Sequence, residues 1–374
     1  QPEVKMRLGG EPIHIPLQQL EDFHPDQLIQ NLPVFEPLRR LREQLTHPST
    51  FDAAAEEVRS WPSWNPPAGP DASPPNESEP QDDMERLLGR KAITGKGKAQ
   101  SIAENLIRNV VGPSTTPPID PSRDDLVATV DGAIGGILRQ ILHHPSFQAM
   151  ESAWRGLDFL LNRLDTGVSL KVYLLDLSKE ALIAEVADPK RIMDSTFYRV
   201  VVEETAETHG ALPWSLVALN HTLTLSRDDL VGFSRCLTLA RAAQAAMVAG
   251  VDGSFQTAAS DEMWKRVRRQ PEAGLGGLLY PRFLLRRPYG KATNRIDSIA
   301  FEEMPAEPVR SHYLWANPIW VLASLLGEAF LEAGWELGAS LGHTLSGMPT
   351  HCFRDGSEIK QTRCTAPHLA DSEL

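Results

Sequence analysis

A proline-rich segment in the first quarter of the chain sets the strongest limit on how this sequence can fold. Pro62–Asp83 contains seven prolines and almost no aliphatic residues. Such a segment buries too little apolar surface to offset its chain entropy, so we expect a flexible or polyproline-II linker. A chain of 374 residues also exceeds what one hydrophobic core usually supports. The sequence therefore predicts an N-terminal segment at 1–61, a linker with a connecting helix at 62–121, and a core at 122–374.

The spacing of apolar residues on either side of this linker predicts the fold class. Leu17–Trp61 repeats leucines at helical intervals, which predicts a short and mainly helical N-terminal segment. Leu126–Leu164 is also predicted to be helical, with a break at Pro145. Ser169–Leu177 has the pattern of a buried strand, and helices alternate with strands beyond it. This alternation predicts an α/β fold.

Three local patterns refine the C-terminal half. Asp228–Val248 is rich in alanine and predicts one long helix. Asn317 followed by Pro318 is typical of a helix start, with Asn317 as the N-cap. Asp355-Gly356 predicts a β-hairpin turn between two short strands.

Composition and charge exclude several classes of protein. The chain is 41% hydrophobic and 23% charged, with a formal net charge of −12 at pH 7, so neither a nucleic acid nor an anionic membrane surface is an expected partner. The local basic cluster Lys265–Arg269 suits a solvated face or an acidic protein partner. The apolar stretch Tyr313–Gly327 is too short to span a bilayer. The three cysteines form no CxxC pair, which fits a reducing compartment. We therefore expect a cytoplasmic protein without membrane insertion and, since it starts at Gln1 without a signal peptide, a fragment of a longer one.

A search for reactive sites yields no catalytic, cofactor-binding or metal-binding residue. Gly89–Gly97 approaches a phosphate-binding loop, but its spacing is one residue too long and no strand precedes it. Adjacent helical residues such as His143 and His144 point about 100° apart and do not converge on one metal ion. Glu302 and Glu303 would face opposite sides of a strand. The chain is therefore predicted not to be an enzyme, and a nucleotide site near Lys96 stays an open alternative.

Several sequence blocks resemble, in order, the large subunit of the type VI secretion contractile sheath (the TssC/VipB family). The first reads ILHHPSFQAMESAWRGLDFLL over Ile141–Leu161. The later blocks are Tyr280–Gly290, Phe301–Glu303, Tyr313–Asn317, Gly334-Trp335 and Pro349–Pro367. Together they cover roughly Leu126–Pro367. The resemblance implies a phage-tail-sheath-like mixed sheet flanked by helices. It also implies a C-terminal tail that is either missing here or truncated, since the family continues beyond this point.

The N-terminal segment carries a second resemblance over about forty residues. Ile15–Leu45 is similar to the C-terminal half of the small sheath subunit (the TssB/VipA family), through the turn at Asp22-Phe23-His24-Pro25-Asp26 and the leucine-rich helix that follows. The chain would then join a small-subunit remnant to a large-subunit core. Whether this segment packs on its own chain or on a neighbour is open at this point.

These resemblances imply a structural subunit of a contractile sheath, which assembles into a helical tube and drives an inner tube and effectors into a target cell. The implied partners are itself, other sheath subunits, the inner tube protein and the baseplate. Recognition by a recycling AAA+ ATPase is undecided, because the large subunit's usual recognition helix is not visible. A sheath-like adaptor or cap that does not polymerise is the alternative.

Ten residues are candidates for contacts between subunits, on the basis of these resemblances and their aromatic or charged character. The alternative for each is that it only fills the core or satisfies internal carboxylates. The candidates are Asp22, Phe23, Pro25, Trp154, Arg155, Arg282, Arg286, Tyr289, Tyr313 and Trp315.

Overall fold

Helices and strands alternate along most of the chain. The computed structural model describes residues 2–62, 123–255, 261–305, 307–340, 342, 344–355 and 358–362. The helices are α1 Pro25–Asn31, α2 Glu36–Thr46, α3 Phe51–Arg59, α4 Arg123–Leu142, α5 Pro145–Leu161, α6 Lys179–Glu185, α7 Thr196–Tyr198, α8 Arg227–Ala243, α9 Glu262–Arg268, α10 Ile319–Ala333 and α11 Leu337–Ser340. The strands are β1 Glu3–Leu8, β2 Glu11–Pro16, β3 Leu216–Leu223, β4 Ala246–Val251, β5 Gly276–Leu279, β6 Phe283–Leu284, β7 Trp315–Ala316, β8 His351–Asp355 and β9 Glu358–Thr362. The α/β fold class is confirmed.

The described strands form four small sheets. Strands β3, β4 and β5 make a parallel sheet in that order, with Leu216 opposite Ala246 and Met247 opposite Gly276. The pairs β1–β2 and β6–β7 are antiparallel, and β8 pairs with β9. Parallel and antiparallel pairs are thus both present, but in separate sheets.

The chain divides into two structural units. Unit 1 takes the described residues within Gln1–Glu151, Arg287–Tyr313 and Phe353–Ile359. Unit 2 takes those within Ser152–Arg286, Leu314–Cys352 and Lys360–Leu374. In unit 1, helices α1, α2 and α3 pack on α4. In unit 2, α8 packs on β3 and β4, and its buried face includes Phe233, Leu237 and Ala240.

The N-terminal segment has the helices that leucine spacing predicts, preceded by a hairpin. The turn between β1 and β2 places Gly9 and Gly10 at φ values of 58° and 92°, a conformation that suits glycine. Val4, Met6 and Leu8 alternate with exposed residues along β1, which is the pattern of a strand with one buried face. The alternation of apolar and polar residues over Glu11–Leu17 predicts a short strand, which β2 confirms, whereas β1 was not predicted.

The strand predicted at Ser169–Leu177 is wrong. This segment forms no strand, and Tyr173 and Leu174 are each 65% exposed. The apolar pattern predicts burial inside a sheet, but no described strand pairs with this segment. A run of exposed apolar side chains therefore lies at the surface of unit 2, where Tyr173 meets Trp214 edge-on at a centroid distance of 5.1 Å.

Helix α8 ends earlier than predicted. The alanine-rich run was expected to stay helical to Val248, but the helix stops at Ala243 and β4 begins at Ala246. Gln244 follows the helix at φ 54°, a left-handed conformation that ends a helix. Alanine and valine both fit the buried strand that follows, so composition alone did not show the boundary.

A buried ion pair joins α6, the end of β3 and α8 in unit 2. The Asp229 carboxylate accepts hydrogen bonds from Lys179 Nζ at 2.7 Å, from Thr224 N at 2.7 Å and from Thr224 Oγ1 at 2.8 Å. Lys179 Nζ also donates to the Thr222 carbonyl at 2.8 Å. Asp229 is only 4% exposed. Loss of Lys179 would leave the Asp229 charge buried and without its ion-pair partner.

We expect Asp229→Ala to lower the free energy of unfolding by about 1.5–3 kcal/mol, because it removes the charge-assisted hydrogen bonds from Lys179 and Thr224. Urea unfolding followed by circular dichroism measures this change. Asp228→Ala is the matched control, because Asp228 occupies the same first helical turn but is exposed. It should cost less than about 1 kcal/mol. Equal losses for the two variants would contradict the buried pair.

The same carboxylate predicts a pH dependence. Burial alone would raise the pKa of Asp229, but the hydrogen bonds from Lys179 and Thr224 and the charge of Lys179 outweigh it, so the pKa lies below 3.8. The unfolded chain then binds the proton more readily than the folded one. The stabilisation is fully present above about pH 4 and is lost as the pH falls through the folded pKa. The difference in unfolding free energy between wild type and Asp229→Ala should therefore shrink as the pH falls below about 4.

Candidate functional site

The N-terminal segment packs against the core of its own chain within unit 1. The Asp26 carboxylate accepts hydrogen bonds from the backbone N–H groups of Asp297, at 3.1 Å, and Ser298, at 2.9 Å. Burial would raise the pKa of Asp26, but these hydrogen bonds and the neighbouring His24 lower it overall. The Asp26 carboxylate is therefore ionised at neutral pH and holds the backbone of residues 297 and 298.

A second polar contact joins α2 to α4. Arg42 Nε donates to Asp131 Oδ1 at 2.6 Å and its Nη2 donates to Oδ2 at 3.4 Å. The Asp131 side chain is 10% exposed and that of Arg42 is 35% exposed. Such a fork-shaped pair fixes orientation as well as distance. The guanidinium of Arg123 also donates to the Thr46 carbonyl at the end of α2.

Aromatic rings fill the space between the Asp22–Asp26 turn and the core of unit 1. Phe23 meets Phe147 edge-on at a centroid distance of 5.6 Å. His24 meets Tyr289 edge-on at 5.2 Å. Edge-on pairs at these distances are favourable beyond their buried area. The turn that resembles the small sheath subunit thus packs on residues of two blocks that resemble the large one.

The sequence blocks Tyr280–Gly290 and Phe301–Glu303 contact each other through Glu302 and Glu303. Glu303 is 1% exposed and accepts a hydrogen bond from Tyr289 N at 2.7 Å. Glu302 is exposed and accepts one from Lys291 N at 2.9 Å. A Cβ at Gly290 would lie 2.1 Å from Glu302 Oε2, so the carboxylate fits only beside glycine. The two carboxylates face different surroundings, although residues 302 and 303 do not form the strand that was assumed from the sequence.

Two histidines stack close to Glu303. The rings of His143 and His312 are nearly parallel with centroids 3.9 Å apart, and His143 Nε2 lies 3.8 Å from Glu303 Oε1. Burial lowers the pKa of His312, although the charge of Glu303 acts in the opposite direction. Gln148 Nε2 donates to the carbonyls of Ser311 and His312, each at 3.3 Å. The ring pair therefore ties the start of α5 to the 303–312 segment.

Residues 314–317 of the block Tyr313–Asn317 lie in unit 2 and form several hydrogen bonds. The Trp315 carbonyl accepts from Ser152 Oγ at 3.0 Å and from Arg282 Nη2 at 2.7 Å. Burial lowers the pKa of Arg282. Asn317 Nδ2 donates to the His221 carbonyl at 3.1 Å, and its Oδ1 accepts from Ile319 N at 3.2 Å. Asn317 therefore caps α10, although Pro318 takes the position that directly precedes the helix.

Gly156, in the block Trp154-Arg155-Gly156, marks the closest helix packing in this region. It is buried in α5, and a Cβ at this position would lie 2.2 Å from Nε1 of Trp320 on α10. Glycine thus lets the indole lie directly on the backbone of α5. This contact between α5 and α10 explains the glycine at position 156 of the block Ile141–Leu161.

Neither a metal-ligand group nor a membrane-spanning helix is found among the described residues. They contain no group of three or more His, Cys, Asp or Glu side chains that could hold a metal ion. No helix among them is long and apolar enough to cross a membrane. The Gly89–Gly97 loop with Lys96 lies outside the described residues, and so does Cys364.

Comparison with known proteins decides the family. The model of the VipB family, described as EvpB/VC_A0108, tail sheath N-terminal domain, matches residues 124–263 and 254–372. This match covers more than half of the chain. The chain belongs to the VipB sheath family. The resemblance of its core to the large sheath subunit is confirmed, whereas the small-subunit resemblance stays a prediction.

A curated relative agrees with this VipB assignment. The chain is 28% identical over 255 residues to the type VI secretion system sheath protein TssC1 of Pseudomonas aeruginosa. The alignment covers 62% of this chain and 51% of the relative. The chain thus spans about half the length of the curated relative that it matches.

The ten candidate contact residues of this VipB-family chain fall into two groups. Six are buried in their units, and four are partly exposed. The buried ones are Phe23, Pro25, Arg286, Tyr289, Tyr313 and Trp315, and the partly exposed ones are Asp22, Trp154, Arg155 and Arg282. Asp22 accepts hydrogen bonds from the backbone of Gln18 and Gln19. Their contacts within the chain are those of packing residues, and a role between subunits stays a prediction.

Sequence reasoning missed the polar residues that hold the segments of this VipB-family chain together. The sequence places Asp26 in a turn without predicting a contact for it, and it predicts no contact for Arg42 or Asp131. The Arg42–Asp131 pair is separated by 89 positions. Local spacing carries no signal for such a pair. For Asp26 there is a weak signal, because it directly follows Pro25, the first residue of α1.

We expect Arg42→Ala and Asp131→Ala to show a coupling energy of about 1–2 kcal/mol in a double-mutant cycle, since they remove one partly buried charged pair. Urea unfolding at several protein concentrations measures it. The exposed pair of Arg40 and Glu36 on the same helix is the control and should couple by less than about 0.5 kcal/mol. No coupling at Arg42 would contradict packing of the N-terminal segment. A coupling that grows with concentration would place the segment on a neighbouring copy.

We expect Gly156→Ala to lower the free energy of unfolding by about 1–3 kcal/mol, because its methyl group overlaps the Trp320 indole. Gly132→Ala is the control, since a Cβ at Gly132 in α4 has nothing within 4 Å. That change should stabilise the protein by up to about 1 kcal/mol through helix propensity. Thermal unfolding of both variants measures the effects. Stabilisation by both substitutions would rule out the close contact.

Proposed function

We propose that this chain is a structural subunit of the contractile sheath of a bacterial type VI secretion system. It assembles into a helical tube whose contraction drives an inner tube and effectors into a target cell. The observation that carries the proposal is the match of the sheath family model across residues 124–372. The printed name of the Pseudomonas relative, a type VI sheath protein, supports it.

An exposed apolar run in unit 2 supports a role in assembly. Val172, Tyr173, Leu174 and Leu175 follow one another at the surface with exposed fractions of 37%, 65%, 65% and 41%. Contiguous apolar surface is rare on proteins that act alone and usually marks a contact with another protein. A sheath subunit needs such contacts with its neighbours, since its work is done by repacking and not by bond chemistry.

The N-terminal segment supports a further part of the proposal, that small- and large-subunit elements share one chain. Asp26 and Arg42 hold this segment to the core of unit 1 through the hydrogen bonds described above. A covalent link between two interacting modules raises their effective concentration without any new contact. Under this proposal the two elements form one protomer without a separate encounter.

The proposed partners follow from the sheath role. Other copies and other sheath subunits form the tube wall, the inner tube protein lies inside it, and the baseplate anchors one end. A recycling AAA+ ATPase is a further proposed partner. The proposed site of action is the bacterial cytoplasm.

We expect the full-length gene product to form tubes in negative-stain electron microscopy, with a matching rise in light scattering. The isolated 374-residue chain is the comparison, and is expected to remain small and discrete if assembly needs segments beyond it. A full-length protein that stays discrete at high concentration, and that no partner sheath subunit converts to tubes, would contradict the proposal. The adaptor or cap role would then replace it.

A further inference from the structure

One exposed helix face of unit 2 is strongly basic. Helix α9 and the residue after it carry Lys265, Arg266, Arg268 and Arg269, while Val267 turns inward and is buried. Glu262 is the one carboxylate on this face, and it pairs with Lys265 at 2.7 Å. Among the described residues, none supplies a carboxylate within ion-pair distance of the three arginines. The face thus keeps an excess of positive charge in a chain whose net charge is −12.

Another face of unit 2 is acidic and partly apolar. Glu328, Leu331 and Glu332 share one side of α10, and Trp335 and Glu336 follow just after the helix. No lysine or arginine occurs from Ile319 to Ser340. The described residues hold no ion pair to these three glutamates. Trp335 is 74% exposed and Leu331 is 40% exposed.

The acidic face has a cost for the isolated chain. Two glutamates four residues apart on a helix repel each other, and negative charge near a helix C-terminus opposes the helix dipole. An exposed tryptophan beside them adds unburied apolar surface. Trp335 meets Phe330 edge-on at a centroid distance of 5.1 Å, but most of the indole is still exposed. The repelling glutamates and this exposed apolar surface do not stabilise unit 2, so they point to a contact that forms outside the chain.

We propose that the basic face of α9 on one copy binds the acidic face at the end of α10 on the next copy, with Trp335 buried at the contact. The faces have complementary charge, and one chain carries both. Since they are different surfaces, the contact is head-to-tail and repeats from copy to copy, as an open helical assembly requires. This inference rests on the proposed sheath function and names one of its contacts.

Charge complementarity has a particular value for this protein. Copies that each carry a charge of −12 repel one another at long range. A local patch of opposite sign selects one relative orientation and suppresses others. An aromatic anchor next to such a patch is a common source of binding energy at protein contacts. The two faces together therefore supply both orientation and affinity.

The test is a charge exchange in the full-length gene product. Glu328→Lys with Glu332→Lys, or Arg266→Glu with Arg269→Glu, should each lower the yield of sedimentable tubes about tenfold or more. Combining all four substitutions should restore most of the yield, because the charges match again. The glutamate-to-lysine pair should also raise thermal stability slightly, since it relieves the unfavourable helix charges. Loss of tubes together with gain of stability separates a lost contact from misfolding.

A matched control and a second measurement make the outcome decisive. Glu56→Lys with Glu57→Lys makes the same charge change on the exposed side of α3 and should leave tube yield unchanged. Zero-length carbodiimide cross-linking of mixed isotope-labelled and unlabelled protein should join Lys265 of one copy to Glu328, Glu332 or Glu336 of another. Lys265 is the one lysine on the basic face.

Several results would overturn the contact. Failure of the four-fold variant to recover, an equal loss in the α3 control, or cross-links from Lys265 only within one copy or to the inner tube protein would each do so. The cross-link also separates this inference from the proposed function. Wild-type tubes without the cross-link leave the sheath role standing and remove this contact. A cross-link between copies in a protein that forms no tubes keeps the contact and removes the sheath role.

Discussion

The side-chain amide of Asn317 is the interaction on which the order of unit 2 most depends. It is 4% exposed, donates to the end of β3 at His221, and caps the first turn of α10 at Ile319. A Cβ at Gly250 of β4 would lie only 2.4 Å from the Asn317 side-chain oxygen, so glycine is needed there. One residue thus links two strands and a helix. Any apolar replacement would leave a buried carbonyl and a buried N–H without partners, which costs more than the hydrogen bonds themselves provide.

Sequence reasoning reached Asn317 only in part, and the reason is physical. Helix capping is local, so the Asn317-Pro318 pair indicated a helix start. The contacts to His221 and Gly250 depend on how β3 and β4 pack, which no local pattern encodes. The same limit applies to Gly290. Its place in a sequence block is visible in the sequence, but the reason for glycine there is the Glu302 carboxylate, twelve positions later.

The errors in strand prediction have a shared origin. Apolar runs of about nine residues predict burial, but they do not say what will cover them. The 169–177 segment has the composition of a buried strand and no strand partner among the described residues, and the end of α8 has a composition that suits helix and strand alike. Helices α4 and α5 were predicted well, since a twenty-residue helix carries its period over several turns. Long helices can be predicted reliably from local spacing. Whether a short apolar run forms a strand depends on residues far away in sequence, so local spacing does not predict it reliably.

For the candidate site, the sequence identified the blocks but not their roles. Tyr289, Trp315 and Phe23 were singled out for contacts between subunits, yet each is almost fully buried within its unit. Aromatic side chains suit protein cores and protein contacts equally, so residue type alone does not decide between them. Asp26 and Arg42 join the N-terminal segment to the core through residues far away in sequence. Their roles could therefore be recognised only in the folded structure.

Exposed apolar side chains and repelling charges on unit 2 say more about assembly than the buried polar residues do. Within unit 2, Asn317 and Asp229 are polar but fully satisfied, so their presence is explained by the fold. Leu174, Trp335 and the glutamates of α10 are not explained in this way: their exposure and repulsion make the single chain less stable. Natural sequences depart from consistency mainly where function requires it. In a protein family whose members build a sheath, the surface where a single copy is least stable is therefore where contact with its neighbours is expected to contribute most.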